Sequence, residues 1–232
     1  MPDNITANLA NINTRIRAAS ARAGRDAGEV KLIAVTKTHP ADVLREAMNA
    51  GAGVFGENKV QEAEGKIAEI GREAVEWHLI GHLQSNKARK AVKLFDVVHS
   101  LDSIELANRL ERICIEEGRN SLTVLVQVDL AGEETKSGIA ESDLPDLVAF
   151  LKGCERLKWK GLMILPPFFD DPEATRPYFV RLRKIRDRFA SEGAFSDNVS
   201  ELSMGMSHDF EVAIEEGATM VRVGTAIFGE RG

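Results

Sequence analysis

Two rhythms of apolar and polar residues alternate along the chain. Short runs that are apolar on both faces, such as Thr123-Val124-Leu125-Val126-Gln127-Val128, are followed by longer stretches in which apolar residues recur every three or four positions. The short runs predict strands near Val30–Val35, Val54–Gly56, Glu76–Gly81, Val97–Ser100, Thr123–Asp129, Trp159–Ile164, Val199–Met204 and Met220–Val223. The longer stretches predict helices near Ala41–Asn49, Lys59–Ile70, Lys87–Lys93, Ile104–Glu117, Leu144–Leu151, Glu173–Ser191 and His208–Glu216, with one further helix over Ile5–Ala23 before the first strand. Boundary chemistry agrees. Asp102-Ser103-Ile104-Glu105 resembles a capping box. Pro40 suits a first helical turn. Gly51, Gly118 and Gly217 follow helical patterns where a left-handed residue is wanted.

Strands apolar on both faces belong in a parallel sheet covered by helices. Eight of them alternating with helices in 232 residues predict a single α/β domain, a (β/α)8 TIM barrel, rather than the competing doubly wound sheet. The expected domain spans residues 1–232, with the extra helix at about 4–24 and the barrel at about 30–230.

Composition narrows the function without naming it. A net charge of −6 gives no reason to expect nucleic acid or an anionic membrane as a partner. The basic stretch Arg181-Leu182-Arg183-Lys184-Ile185-Arg186 reads as a solvated helix face with Leu182, Ile185 and Phe189 turned inward. Two distant cysteines, Cys114 and Cys154, form no CxxC and fit a reducing compartment, as core residues. No apolar run approaches the ~20 residues of a membrane span, and the N-terminus lacks a signal core, so a cytoplasmic monomer is expected.

In such a barrel the chemistry sits at the C-terminal ends of the strands. Those ends carry Lys37, Glu57-Asn58, His82, Ser100 and Asp102, Asp129, the Met163–Pro167 turn, Ser203-Met204-Gly205, Arg222 and Gly224-Thr225. Lys37 places an amine directly after a buried strand, where partial burial favours its neutral, nucleophilic form. The loops after the seventh and eighth strands are the usual phosphate site of a barrel, and here they read Ser203-Met204-Gly205-Met206-Ser207 and Gly224-Thr225-Ala226. Their glycines allow close approach of backbone N–H groups, and Ser203 and Thr225 add hydroxyls. Ser207 can instead cap the helix that begins at His208. Arg222 interrupts an apolar strand and, if it faces inward, places a charge beside whatever fills the mouth. An amine, a phosphate cradle and an arginine suited to a pyridine nitrogen together predict a site for pyridoxal 5′-phosphate (PLP). His78 and His82 lie four apart on a strand, which is not the helical metal-binding spacing.

Several ordered motifs carry a resemblance over nearly the whole chain. They are Ala34-Val35-Thr36-Lys37, Phe55-Gly56-Glu57-Asn58, Ile80-Gly81-His82-Leu83-Gln84-Ser85-Asn86-Lys87, His99-Ser100-Leu101-Asp102, Gly161-Leu162-Met163, Leu202-Ser203-Met204-Gly205-Met206-Ser207 and Val221–Gly229. The sequence resembles the pyridoxal phosphate homeostasis proteins, the YggS/PROSC family, with a barrel like the N-terminal domain of alanine racemase. His82 stands where many of those proteins have proline, and Lys59 where an aromatic is common. The resemblance implies PLP as a Schiff base on Lys37, Arg222 at the pyridine nitrogen, Ser203, Gly224 and Thr225 on the phosphate, and Asn58 and Met204 beside the cofactor.

It further implies a non-catalytic carrier or regulator of PLP, with apo-PLP enzymes as partners. The alternative is a PLP-dependent amino-acid racemase. Racemisation needs a second acid/base opposite the lysine. Alanine racemases take a tyrosine from a second domain, which is not expected in this chain, and its one tyrosine, Tyr178, lies in a helical segment. A cofactor-free aldolase using Lys37 and an interaction protein with a vestigial site are the other readings, and the colour of the protein and its retention of PLP separate them.

Overall fold

The structure is a computed structural model and describes residues 4–132 and 137–229. In chain order the elements are α1 (Ile5–Arg22), β1 (Lys31–Val35), α2 (Ala41–Asn49), β2 (Val54–Glu57), α3 (Val60–Ile70), β3 (Glu76–Leu79), α4 (Ala88–Leu94), β4 (Val97–Leu101), α5 (Ile104–Glu116), β5 (Leu122–Asp129), β6 (Ile139–Ala140), α6 (Leu144–Lys152), β7 (Leu157–Met163), α7 (Arg176–Ser191), β8 (Glu201–Met206), α8 (Phe210–Glu215), β9 (Met220–Val223) and α9 (Thr225–Phe228). All the pairings are parallel. The order β4-β3-β2-β1-β9-β8-β7-β5 closes through β4 against β5, which makes the (β/α)8 barrel read from the sequence. Two elements were not foreseen. β6 is a two-residue addition outside β5, and α9 is a single helical turn following Gly224.

Alternation along each strand divides the core in two. Ile33, Val97, Leu125, Met163 and Met220 form a small cluster inside the barrel. Ala34, Phe55, Trp77, Val98, Val124, Leu162, Leu202 and Val221 belong to the much larger layer between sheet and helices. Each fully buried aliphatic or aromatic side chain contributes about 1.5–3 kcal/mol. The outer layer therefore supplies most of the stability, and the narrow interior is free to carry polar groups. Gly56 shows how narrow that interior is, since a Cβ there would come within 2.8 Å of Ile33 Cγ2.

The helices follow their patterns. α1 buries Ile5, Leu9, Ile12 and Ile16 and packs on α8 and α9. Arg15 forks onto the Glu211 carboxylate, and Asn8 Nδ2 donates to the Ile227 carbonyl at 2.9 Å. In α7, Leu182, Ile185 and Phe189 are buried beneath the arginine face, as the pattern requires. The cap of α5 falls one residue later than the capping-box pattern suggests: Ser103 Oγ, not Asp102, accepts from the Leu106 amide at 3.2 Å. Gly51, Gly118 and Gly217 take positive φ just past their helices. Among the described residues, no helix is long and apolar enough to cross a membrane.

Candidate functional site

The pairing of β1 with β9 sets the site. Ile33 is level with Arg222 and Ala34 with Val223, so the strand end carrying Lys37 lies beside the Gly224-Thr225 turn. The fit is close, because a Cβ on Gly224 would sit 3.3 Å from Val35 Cβ and 3.4 Å from its carbonyl oxygen. Lys37 is half-buried, Gly224 is partly covered and Thr225 is exposed. The Gly224 and Ala226 amides both donate to Ser207 Oγ, at 3.2 and 3.4 Å. Two N–H groups and a hydroxyl converge at this corner, a donor set suited to an anion. Ser207 therefore bridges two loops of the mouth and does not cap α8; Asp209, which precedes that helix, turns its carboxylate back to accept from the Met206 amide at 2.7 Å. Gly205 lets the β8 end approach α8, since a Cβ there would lie 2.6 Å from that of Ala213.

Ser203, expected on the phosphate, and Met204, expected beside the cofactor, both lie within β8. Ser203 has no exposed surface, and its hydroxyl is engaged inside the barrel by Arg222 Nη1 at 2.6 Å and His99 Nδ1 at 2.9 Å. It is Ser207, four residues further on, whose hydroxyl oxygen accepts from the Gly224 and Ala226 amides. Met204 is fully buried in the layer between sheet and helices, so only its main chain faces the loop. Asn58 is partly covered, and its main chain abuts Gly81 so closely that a Cβ on that glycine would overlap it.

Arg222 is 3% exposed and sits inside the barrel below the mouth. Its Nη2 donates to the Ile164 carbonyl at 2.8 Å. Burial pulls its guanidinium down to about 10, partly offset by Asp209, so it remains a cation at neutral pH. Beyond Ser203 the polar contacts continue through the interior. His99 Nε2 lies 2.8 Å from His78 Nδ1, His78 Nε2 lies 2.9 Å from Glu76 Oε1, and Glu76 pairs with Lys31 Nζ at the floor of the barrel. His78 and His82 are thus unrelated in space, with His78 in the core and His82 exposed, 3.5 Å from Asp102.

A second polar cluster lies on the other side of the wall. Glu57, expected at the mouth, points outward between sheet and α3 and is fully buried. Its Oε1 accepts from Thr36 Oγ1 at 2.5 Å and from Lys66 Nζ at 2.7 Å. Lys66 also donates to the Thr36 carbonyl at 2.6 Å and to Glu62 at 2.7 Å, and Glu62 in turn accepts from the Thr38 amide. The backbone is therefore gripped on both sides of Lys37, with Thr38 at φ 69°. Burial pushes the Glu57 carboxyl up from its ordinary range against the pull of Lys66. Neither network was read from the sequence, though polar residues at inward positions of apolar strands, Glu76 and His78 in β3 and His99 in β4, were the available signal.

A surface groove of about 480 Å³ runs along α7, lined by Pro177 and Val180 among charged neighbours, but none of the strand-end residues contributes to it.

The chain matches the model of the alanine racemase N-terminal domain over residues 7–232. It is 44% identical to the pyridoxal phosphate homeostasis protein of Pseudomonas aeruginosa, covering 98% of this chain and 96% of that one. The chain belongs to the pyridoxal phosphate homeostasis protein family. Among solved structures of this family, PipY of Synechococcus elongatus, determined with PLP bound, superposes with a TM-score of 0.84 at 41% identity, covering 97% of this chain and all of that one (100%). Alanine racemase from Corynebacterium glutamicum, at 19% identity and a TM-score of 0.68 over 62% of its length, shares the barrel fold alone.

Proposed function

We propose that this chain binds PLP at the barrel mouth and serves in PLP homeostasis as a carrier or regulator without efficient turnover of amino acids. The observation that carries the reading is the β1–β9 register, which brings the Lys37 strand end and the amide corner of Gly224, Ala226 and Ser207 together above Arg222. PLP, when bound, supplies an aldehyde that condenses with an amine and a ring that can withdraw electrons. Lys37 provides the amine, held by a backbone fixed on both sides. Gly224, Thr225 and Ser207 provide the phosphate donors, and Asn58 flanks the site. Arg222, a permanent donor, suits an unprotonated ring nitrogen and leaves the ring a weak electron sink. That supports storage and exchange over carbanion chemistry. The names and bound cofactor of the relatives support the same reading. The two cysteines, unbridged and pushed up by burial to about 11 each, fit a reducing, cytoplasmic setting. Apo-PLP enzymes are the proposed recipients, and the carrier acts as a monomer.

Reduction of the PLP-loaded protein with borohydride should fix the cofactor on Lys37, mapped by peptide mass spectrometry, and Lys37→Ala should bind PLP only reversibly. An adduct found mainly on another lysine, such as Lys87, would sink the assignment. Thr225→Val should weaken PLP by about ten-fold or more, the loss of one hydrogen bond to a charged oxygen, while leaving pyridoxal unchanged. Incubation with L-alanine in deuterated water should show no rapid exchange at Cα, whereas an apo-PLP enzyme should regain activity. Rapid exchange with racemisation would defeat the carrier reading.

A further inference from the structure

The interior polar contacts have a direction that chemistry fixes from both ends. Arginine only donates and an ionised carboxylate only accepts. Glu76 is ionised, its carboxyl drawn down to about 2 chiefly by His78, so the His78 nitrogen facing it, Nε2, carries a proton. Burial disfavours a charge on either imidazole, and His99, fully enclosed, is held well below the ordinary histidine range. A neutral His78 leaves Nδ1 bare, so the bond to His99 is donated by His99 Nε2. A neutral His99 leaves its own Nδ1 bare, so the Ser203 hydroxyl donates to it. The Ser203 oxygen is then free to accept from Arg222 Nη1.

We propose that Ser203, His99, His78 and Glu76 are positioning residues for Arg222, forming a one-way hydrogen-bonded chain in which every donor points away from the mouth and the floor carboxylate terminates the chain. The chain turns one edge of the guanidinium into the wall, together with the Ile164 carbonyl, and so fixes which edge remains for a ligand. It also accounts for two histidines in a barrel core without a metal cluster among the described residues. Asp209, the other charge that acts on Arg222, lies at the mouth side and is already held by the Met206 amide. The role in ligand binding rests on the assignment of Arg222 to the cofactor ring.

The first test needs no cofactor. In the full chain labelled with ¹⁵N at the histidine rings, His78 and His99 should both appear as the Nε2–H tautomer, with a scalar coupling across the bond from His99 Nε2 to His78 Nδ1. An Nδ1–H tautomer or an imidazolium at neutral pH overturns the chain. The second compares Ser203→Ala and His99→Phe with Arg222→Met. Both chain variants should weaken pyridoxal and PLP alike by about ten-fold and shift the visible absorption of bound PLP in the direction seen with Arg222→Met. Ser203→Ala deletes one atom and keeps the test available if His99→Phe fails to fold. Unchanged pyridoxal affinity and absorption in the chain variants, with Arg222→Met impaired, overturns the positioning role alone. Unchanged binding in Arg222→Met as well removes the reading of Arg222 at the ring, and the positioning role with it.

Discussion

The two polar networks flanking the barrel wall are built on opposite principles. Inside, opposite charges stand at the ends, Arg222 near the mouth and Glu76 at the floor, and neutral groups fill the space between them. Outside, three charged side chains crowd together: Lys66 between Glu57 and Glu62. Along the interior chain from Arg222 Nη1 to Glu76 each donor has one acceptor. The outer network leaves Glu57 Oε2 buried without a partner among the described residues. Separated charges linked by neutral groups define an orientation, which suits holding a guanidinium edge. Crowded charges grip a backbone, which suits fixing the peptide on either side of Lys37. The same wall thus carries one device for a side chain and another for a main chain.

The largest difference should appear on removing a charge from the crowded side. Lys66→Ala leaves Glu57 buried and uncompensated, and should lower stability by about 3–5 kcal/mol in urea unfolding. The double variant Lys66→Met with Glu57→Gln should recover most of that loss. If the single and double variants are equally unstable, the cluster matters through packing and not through charge.

Acid should separate the networks by sign. His78 and His99 are held below their ordinary range by burial, so the unfolded chain binds their protons first. Stability is then full above about pH 6.5 and falls below it, by up to about 1.4 kcal/mol per pH unit for each histidine. Glu76, depressed to about 2, adds a further loss once pH falls below the ordinary carboxylate range. Glu57 works the other way: raised by burial, it takes up a proton more readily folded than unfolded, and acid relieves its cost. Denaturant midpoints measured from pH 8 to 5 should fall, and His78→Phe with His99→Phe should flatten that slope. A slope unchanged in the double variant would contradict the neutral interior.

The smallest effect should come from Thr36→Val, which removes a hydroxyl donor to Glu57 without changing volume. A stability loss of about 1–2 kcal/mol is expected, with pyridoxal affinity unchanged. Weakened pyridoxal binding would mean that the outer cluster also sets the ring contact and that the two devices are not separate.

The barrel was legible because its signal is periodic. Runs such as Leu122–Asp129, apolar on both faces, admit few other environments, and every sequence-read strand lies in its place. The strand-end lysine and the glycine turn were legible for a similar reason, being tied to positions that the fold fixes. Face assignments of polar residues were not. Glu57 closes β2, yet parity turns it into the helix layer, whereas Ser203, in the middle of β8, turns inward. Ser207 was readable as a cap, because the choice between α8 and the Gly224 amides depends on how two distant loops meet.

The pairing of β1 with β9 also sets a schedule. A ribosome adding about 5–20 residues per second makes Lys37 roughly ten to forty seconds before Gly224. Through that interval the lysine exists without its anion corner, and the barrel cannot close because its seam joins residues 31–34 to residues 220–223. A ligand that needs both sides of the seam binds only the finished ring. At a hundred-fold excess over its dissociation constant it would favour that ring by about 2.7 kcal/mol. Chains frayed at the last strand keep the amine and lose the corner, so any ligand that spans the seam would bias the pool of newly made chains toward complete barrels.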